Sequence, residues 1–217
     1  ASAKISAKKL PFEQTAKCLS ADKVLLTGTL DLNAGLSSEG QLADLVKNLK
    51  GTVGADLRNG QVMKFPLLGN ILSMKNIVAL AEQGGPKLTA EGFPYRQLSA
   101  KGHLDGGYFM LDEGVFYSNA VGLGANGWIS LTDYQSRLTV LVAPLALLTE
   151  TIRKLPILGY VIGGTFTSLP VAVSGDIRDP LVVPLGPGAI TSELTGILGR
   201  TLSLPGHLAP STPPPRR

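Results

Sequence analysis

Two histidines, one cysteine and one pair of adjacent carboxylates are the residues through which this chain could do acid–base, nucleophilic or metal chemistry. His103 stands two residues before Asp105 in KGHLDGG, so on a strand the two share a face. Such a pair could orient a proton relay or supply part of a metal site. With only one other histidine in the chain, a solvated strand face is the simpler account. That other histidine, His207, sits in a proline-rich tail and is assigned no role. Asp112 and Glu113 are a carboxylate pair of the kind used in acid–base work, but neighbours on a strand point to opposite faces. The run GLGANG at 122–127 has the glycines of a phosphate-binding loop, which needs a strand before it and a helix after it. Here the glycines interrupt an alternating strand and mark a bulge or tight bend. No GxSxG occurs, and Cys18 alone makes neither an internal disulfide nor a cysteine-based metal site. We therefore expect no catalytic residue, no metal and no cofactor.

Composition points the same way. Of 217 residues 44% are apolar and only 17% charged, enough for a substantial core and greasy for a water-exposed domain. The net charge of +4 is scattered, without a basic cluster interleaved with aromatics, so nucleic acid is not an expected partner. The chain opens on Ala1 with no charged-then-apolar leader, and we expect a piece of a longer protein. The longest apolar stretch, 138–163, is interrupted by Pro144, Glu150, Arg153, Lys154 and Pro156 and falls short of a membrane span.

The elements that must position these residues follow from periodicity. Residues 23–33 alternate, with Val24, Leu26, Leu30 and Leu32 on one face and Thr27, Thr29, Asp31 and Asn33 on the other. Ser38 and Gln41 form a capping box for a short helix whose stripe is Leu42, Leu45, Val46 and Leu49. Asn59-Gly60 predicts a hairpin turn between two strands. Pro66 opens a helix to about Gln83. From Tyr95 to Ala143 the pattern predicts a four-strand antiparallel meander with turns near Gly106-Gly107, Asn119 and Asp133. A helix follows over 145–155, then a Gly163-Gly164 turn and a strand bearing Leu169, Val171, Val173 and Ile177 that Asp179-Pro180 ends. A last helix from Ser192 to about Leu202 turns Leu194, Ile197, Leu198 and Leu202 inward. The expected class is thus α+β, mainly antiparallel β, with about four amphipathic helices packed on the face or ends of the sheet, in one domain over 1–204 with a disordered tail over 205–217. The strand near Leu141 is apolar on both faces, which predicts either a layer sandwiched between sheet and helix or an exposed apolar groove.

Three stretches carry a resemblance: GANGWISLTD at 124–133, LPILGYVIGG at 155–164 and VSGDIRDPLVV at 173–183. In that order they resemble the C-terminal segment of the AsmA-like family, bridge-like lipid transfer proteins that include AsmA, YhdP and TamB. The resemblance implies a long antiparallel sheet curled into a hydrophobic groove. It also implies a periplasmic location in a diderm bacterium, as part of a protein anchored in the inner membrane, with phospholipid moved between inner and outer membrane. Phospholipid or another acyl-chain lipid is then the expected ligand, and an outer-membrane or envelope protein a possible partner. The candidate groove residues are Leu123, Ala125, Ile129, Leu138, Val140, Val142, Val171 and Val173. The competing expectation is a docking or capping module that binds a membrane partner and no lipid.

Overall fold

The computed structural model describes residues 2–14, 26–41, 44–62, 93–119, 121–144, 160–162, 166–186, 189, 194 and 196–197. They form ten strands: β1 (Ser2–Pro11), β2 (Thr29–Ser37), β3 (Lys50–Val62), β4 (Phe93–Asp105), β5 (Tyr108–Tyr117), β6 (Val121–Ser130), β7 (Gln135–Pro144), β8 (Tyr160–Ile162), β9 (Phe166–Asp176) and β10 (Leu181–Pro184). All belong to one sheet in the order β1-β2-β3-β4-β5-β6-β7-β9-β10, with β8 paired to β9, and every pairing is antiparallel. The sheet is open and curled. The meander expected over Tyr95–Ala143 is present as β4 to β7, with turns at the three expected places.

The α+β expectation is corrected. The described residues are 73% strand and 7% helix, with no helix of seven residues or more, so they are nearly all antiparallel sheet and lack the four helices. The helices expected over 66–83 and 145–155, and the tail over 205–217, lie outside the described residues. The helix expected after Ser38 is reduced to a turn over 44–48, where the Asn48 N–H donates to the Asp44 carbonyl at 2.9 Å. Val46 of its presumed stripe is exposed. The Ser38 hydroxyl does not cap that segment but donates to the Leu45 carbonyl at 2.8 Å. The reason is closure. Ser37 and Lys50 are direct partners in the ladder, roughly 5 Å apart. A helix filling the twelve intervening positions would carry the chain about 18 Å away. Local capping signals lose to that constraint.

Asn59-Gly60 is also corrected, from a hairpin turn to an irregularity inside β3. Asn59 has φ 52°, and the ladder to β4 runs from Arg58↔Gln97 to Gly60↔Tyr95 on either side of it. Across this point the inward positions of β3 move from Leu57 to Gly60 and Val62, and those of β4 from the half-buried Leu98 to the buried Tyr95 and Phe93. Gly60 is required because a Cβ there would sit 1.9 Å from the Thr27 carbonyl oxygen and 2.6 Å from the Tyr95 hydroxyl. These two groups bond to each other, the hydroxyl donating at 2.5 Å. The asparagine supplies the left-handed residue and the glycine the close approach, the same properties that suit the pair to turns.

Of the strand anticipated at 23–33, residues 23–25 lie outside the described residues, β2 runs from Thr29, and Leu26 forms an isolated bridge to Val62. A bulge in β5 places Asp112 as an extra residue, so that Leu111 and Gly114 pair with Gly127 and Ala125 and keep the same face. The bulge thus lies in the strand opposite the glycines of β6, and of those glycines Gly127 has a positive φ of 139°. At the far end, Asp179-Pro180 ends β9 as expected: the Asp179 N–H donates to the Asp176 carbonyl at 2.9 Å in the turn that leads into β10.

Two measurements check this account. Gly127 has φ 139°, and a Cβ on it would meet the Arg137 carbonyl oxygen at 2.2 Å, whereas one on Gly35 meets nothing within 4 Å. Gly127→Ala should cost about 1–3 kcal/mol in urea unfolding, and Gly35→Ala should leave stability unchanged or raise it by up to ~1 kcal/mol. Burial pushes the Tyr95 phenol from 10.0 up to about 12. The folded chain therefore holds this proton more tightly than the unfolded chain. The stabilisation is complete below the unfolded value and is lost as pH rises toward the folded one. Wild-type stability should fall between pH 10 and 12 more steeply than that of Tyr95→Phe.

Candidate functional site

The inner face of the sheet is the candidate site, and pleating builds it. Because direct partners in an antiparallel ladder project from the same face, the registers connect side chains into rows that run across the strands. One row reads Leu30, Leu57, Leu98, Phe116, Leu123, Val142 and Leu169 from β2 to β9. Two positions along each strand lies a row of smaller side chains: Ala7, Leu32, Ala55, Ala100, Gly114, Ala125, Val140 and Val171. Beyond it run Ile5, Ala34, Val53, Gly102, Leu111, Gly127, Leu138 and Val173. The middle row is thus a floor whose side chains are smallest over β3–β6, at Ala55, Ala100, Gly114 and Ala125, flanked on one side by leucine and phenylalanine. It runs perpendicular to the strands along the length of the sheet.

All eight candidate residues lie on this face. Leu123 and Val142 belong to the large row, Ala125, Val140 and Val171 to the floor, and Leu138 and Val173 to the third row. Ile129 pairs with Phe109 and Ser136 one row further on. Their exposure divides them. Val142, Val171 and Val173 have 0% of their surface exposed, and Leu123, Leu138 and Val140 are buried, whereas Ala125 and Ile129 are half-buried. Toward β2–β4 the face opens: Leu32, Ala55, Leu98 and Ala100 are half-buried. The β7–β9 end therefore has the character of a closed core and the β2–β4 end that of an accessible surface. The floor residues of β2 to β5 were not among the eight. The signal for them was a small residue at an apolar position of the alternation, Ala55 between Val53 and Leu57 in TVGADL, and Ala100 and Gly102 between Leu98 and Leu104 in LSAKGHL.

The strand apolar on both faces is sandwiched, as one of the two expectations had it. Leu138, Val140 and Val142 of β7 join the inner core, while Leu141 and Ala143 join Val115, Leu194 and Ile197 in a second cluster on the outer face. Leu194 and Ile197 are buried there, as expected of the last helical segment.

Elsewhere the outer face is polar, and the residues with chemical potential stand on it. His103 does not meet Asp105. Its Nδ1 lies 3.0 Å from Asp112 Oδ2, the bulge residue, while Asp105 is 3.6 Å from Lys50 Nζ. Both members of the histidine pair are well exposed, at 49% and 61%, and an ion pair so open to water holds little free energy. Asp56 accepts from Arg58 and from Gln97. Asp176 is held at about 2 by the Arg178 guanidinium and its backbone N–H, and the guanidinium stacks 4.4 Å from the Tyr134 ring centroid. Each of these groups ties neighbouring strands or a turn. Among the described residues no three of His, Cys, Asp and Glu gather into a metal-binding group, and no helix is long and apolar enough to cross a membrane.

Comparison with known proteins finds no matching protein family, no similar curated protein and no similar solved structure.

The two ends of the inner face should respond differently to polarity. Val171→Asp should cost at least about 3 kcal/mol by burying a carboxylate without a partner, while Ala100→Ser on the half-buried floor should cost less than about 1 kcal/mol. Thermal or urea unfolding of the two variants measures both.

Proposed function

We propose that this chain is a non-enzymatic hydrophobic-groove segment of a lipid transfer protein, holding an acyl chain along the inner face of its curled sheet. The observation that carries the reading is the run of small side chains Ala55, Ala100, Gly114 and Ala125, in register from β3 to β6 and flanked on one side by the larger row Leu57, Leu98, Phe116 and Leu123. Small residues leave depth where a lipid tail can lie, and each methylene withdrawn from water there contributes about 0.8 kcal/mol. An apolar lining of this kind distinguishes poorly between head groups, so selectivity is expected to be low. The half-buried floor of β2–β4 is the part offered to lipid, and the buried β7–β9 end closes the groove. Together with the resemblance to the AsmA-like family, this favours a role between the inner and outer membranes of a diderm envelope, within a longer, membrane-anchored protein.

A second reading is favoured by one observation, the complete burial of Val142, Val171 and Val173. If the whole inner face is covered as they are, the domain is a docking or capping module that attaches its parent to a membrane partner and binds no lipid.

Native mass spectrometry of the purified chain, with uptake of a fluorescent phospholipid, separates the two. The groove reading expects bound lipid and saturable uptake. Ala100→Phe, which fills the floor, should lower uptake at least tenfold with little change in melting temperature. Wild-type protein that carries and takes up no lipid would leave the docking module as the better account.

A further inference from the structure

We infer that the free edge of β1 is a docking ladder for an extended partner segment that alternates apolar and acidic residues. The inference concerns a different surface from the inner groove and stands whether or not that groove carries lipid. β1 ends the sheet: among the described residues it pairs with β2 alone, and every residue from Ser2 to Pro11 is exposed except the half-buried Ala7. An edge strand turns alternate backbone N–H and C=O groups outward, where another strand can take them up. The opposite edge is no equivalent, since β10 has only four residues and ends at Pro184, which has no N–H to donate.

The side chains of β1 define what would fit. On the inner face Ala3, Ile5 and Ala7 continue the apolar rows to the edge, and there the rows stop uncovered. Ile5 is 45% exposed, while Leu111, Leu138 and Val173 in its row are buried. A strand with apolar residues at every second position would extend the rows over it. On the outer side stand Lys4 and Lys8, with Lys9 at a bulge where the register shifts between Ala7 and Leu10. Among the described residues none of the three ammonium groups has a carboxylate within salt-bridge distance. A second copy of the chain docked edge to edge would set lysine against lysine, so charge disfavours self-pairing. A neutral strand would leave the cations uncompensated, whereas carboxylates at the outward positions pair with them directly. The bulge limits the regular ladder to Ser2–Ala7, so the segment recognised is short.

The test uses two labelled nine-residue peptides, one alternating Val and Glu, the other alternating Val and Lys, titrated into the whole chain by fluorescence anisotropy. Amide hydrogen exchange over residues 2–7 is followed in parallel. The Val/Glu peptide should bind at least tenfold more tightly than the Val/Lys peptide at low salt, slow exchange in residues 2–7, and weaken as salt rises. The double substitution Lys4→Glu, Lys8→Glu, both at exposed positions, should reverse the preference while the circular dichroism stays unchanged. The inference is overturned if the Val/Glu peptide does not bind, if both peptides bind equally, or if binding leaves exchange over residues 2–7 unaltered. Self-association of the free chain that protects the same amides, seen with light scattering, would overturn it as well.

Discussion

The architecture depends on one constraint: pleat parity must be kept from strand to strand across the sheet. A backbone ladder fixes which residues stand opposite one another, and the pleat then decides which face each side chain takes. A slip of one residue in any strand would turn its apolar set outward. In this molecule Leu30, Leu57, Leu98, Phe116, Leu123, Val142 and Leu169 stay aligned over seven strands, which requires six registers to agree. Two of the irregularities serve that agreement. Asp112 adds a residue to β5, so a three-residue step from Leu111 to Gly114 matches a two-residue step from Gly127 to Ala125. Asn59, in a left-handed conformation, moves the buried phase of β3 from Leu57 to Val62, and β4 moves with it to seat Phe93 and Tyr95 beside Phe116.

How much of this is legible in the amino-acid sequence depends on the range of each interaction. The β4–β7 meander is legible because alternation and turn chemistry are local and agree: Gly106-Gly107, Asn119 and Asp133 punctuate strands whose apolar residues fall at every second position. The eight groove candidates all reach the inner face for the same reason, since period two identifies a face. Their exposure is not legible, because what covers Val171 and leaves Ala125 half open is set by distant parts of the chain. The segment after Ser38 carries good helical signals, yet the pairing of Ser37 with Lys50 outranks them. Asn59-Gly60 marks a left-handed residue and a close approach, and nothing within a few residues tells a hairpin from a kink in a continuous strand. The His103–Asp112 contact depends on a bulge in the neighbouring strand, so the two-residue spacing to Asp105 pointed to the wrong partner.

The two edges of the sheet are managed by different means. β10 is short, bounded by Pro180 before it and Pro184 at its end, which limits how far another strand could pair along it. β1 is ten residues long and relies on lysine and on a bulge stapled by the Lys9 N–H donating to Asp31 Oδ1 at 2.7 Å. Proline blocks every added strand alike, whereas charge blocks only strands of the wrong sign. One edge is therefore closed by backbone chemistry and the other filtered by side chains.

The order of the strands has a kinetic corollary. From β1 to β7 each strand lies beside its sequence neighbours, and β4 to β7 are joined by turns of two to four residues. Their contacts are consequently local for a β-sheet, and closing each short turn costs little chain entropy. Low contact order of this kind favours fast assembly. The meander can grow by adding one hairpin arm at a time to an edge already formed, in the order in which a ribosome would release it.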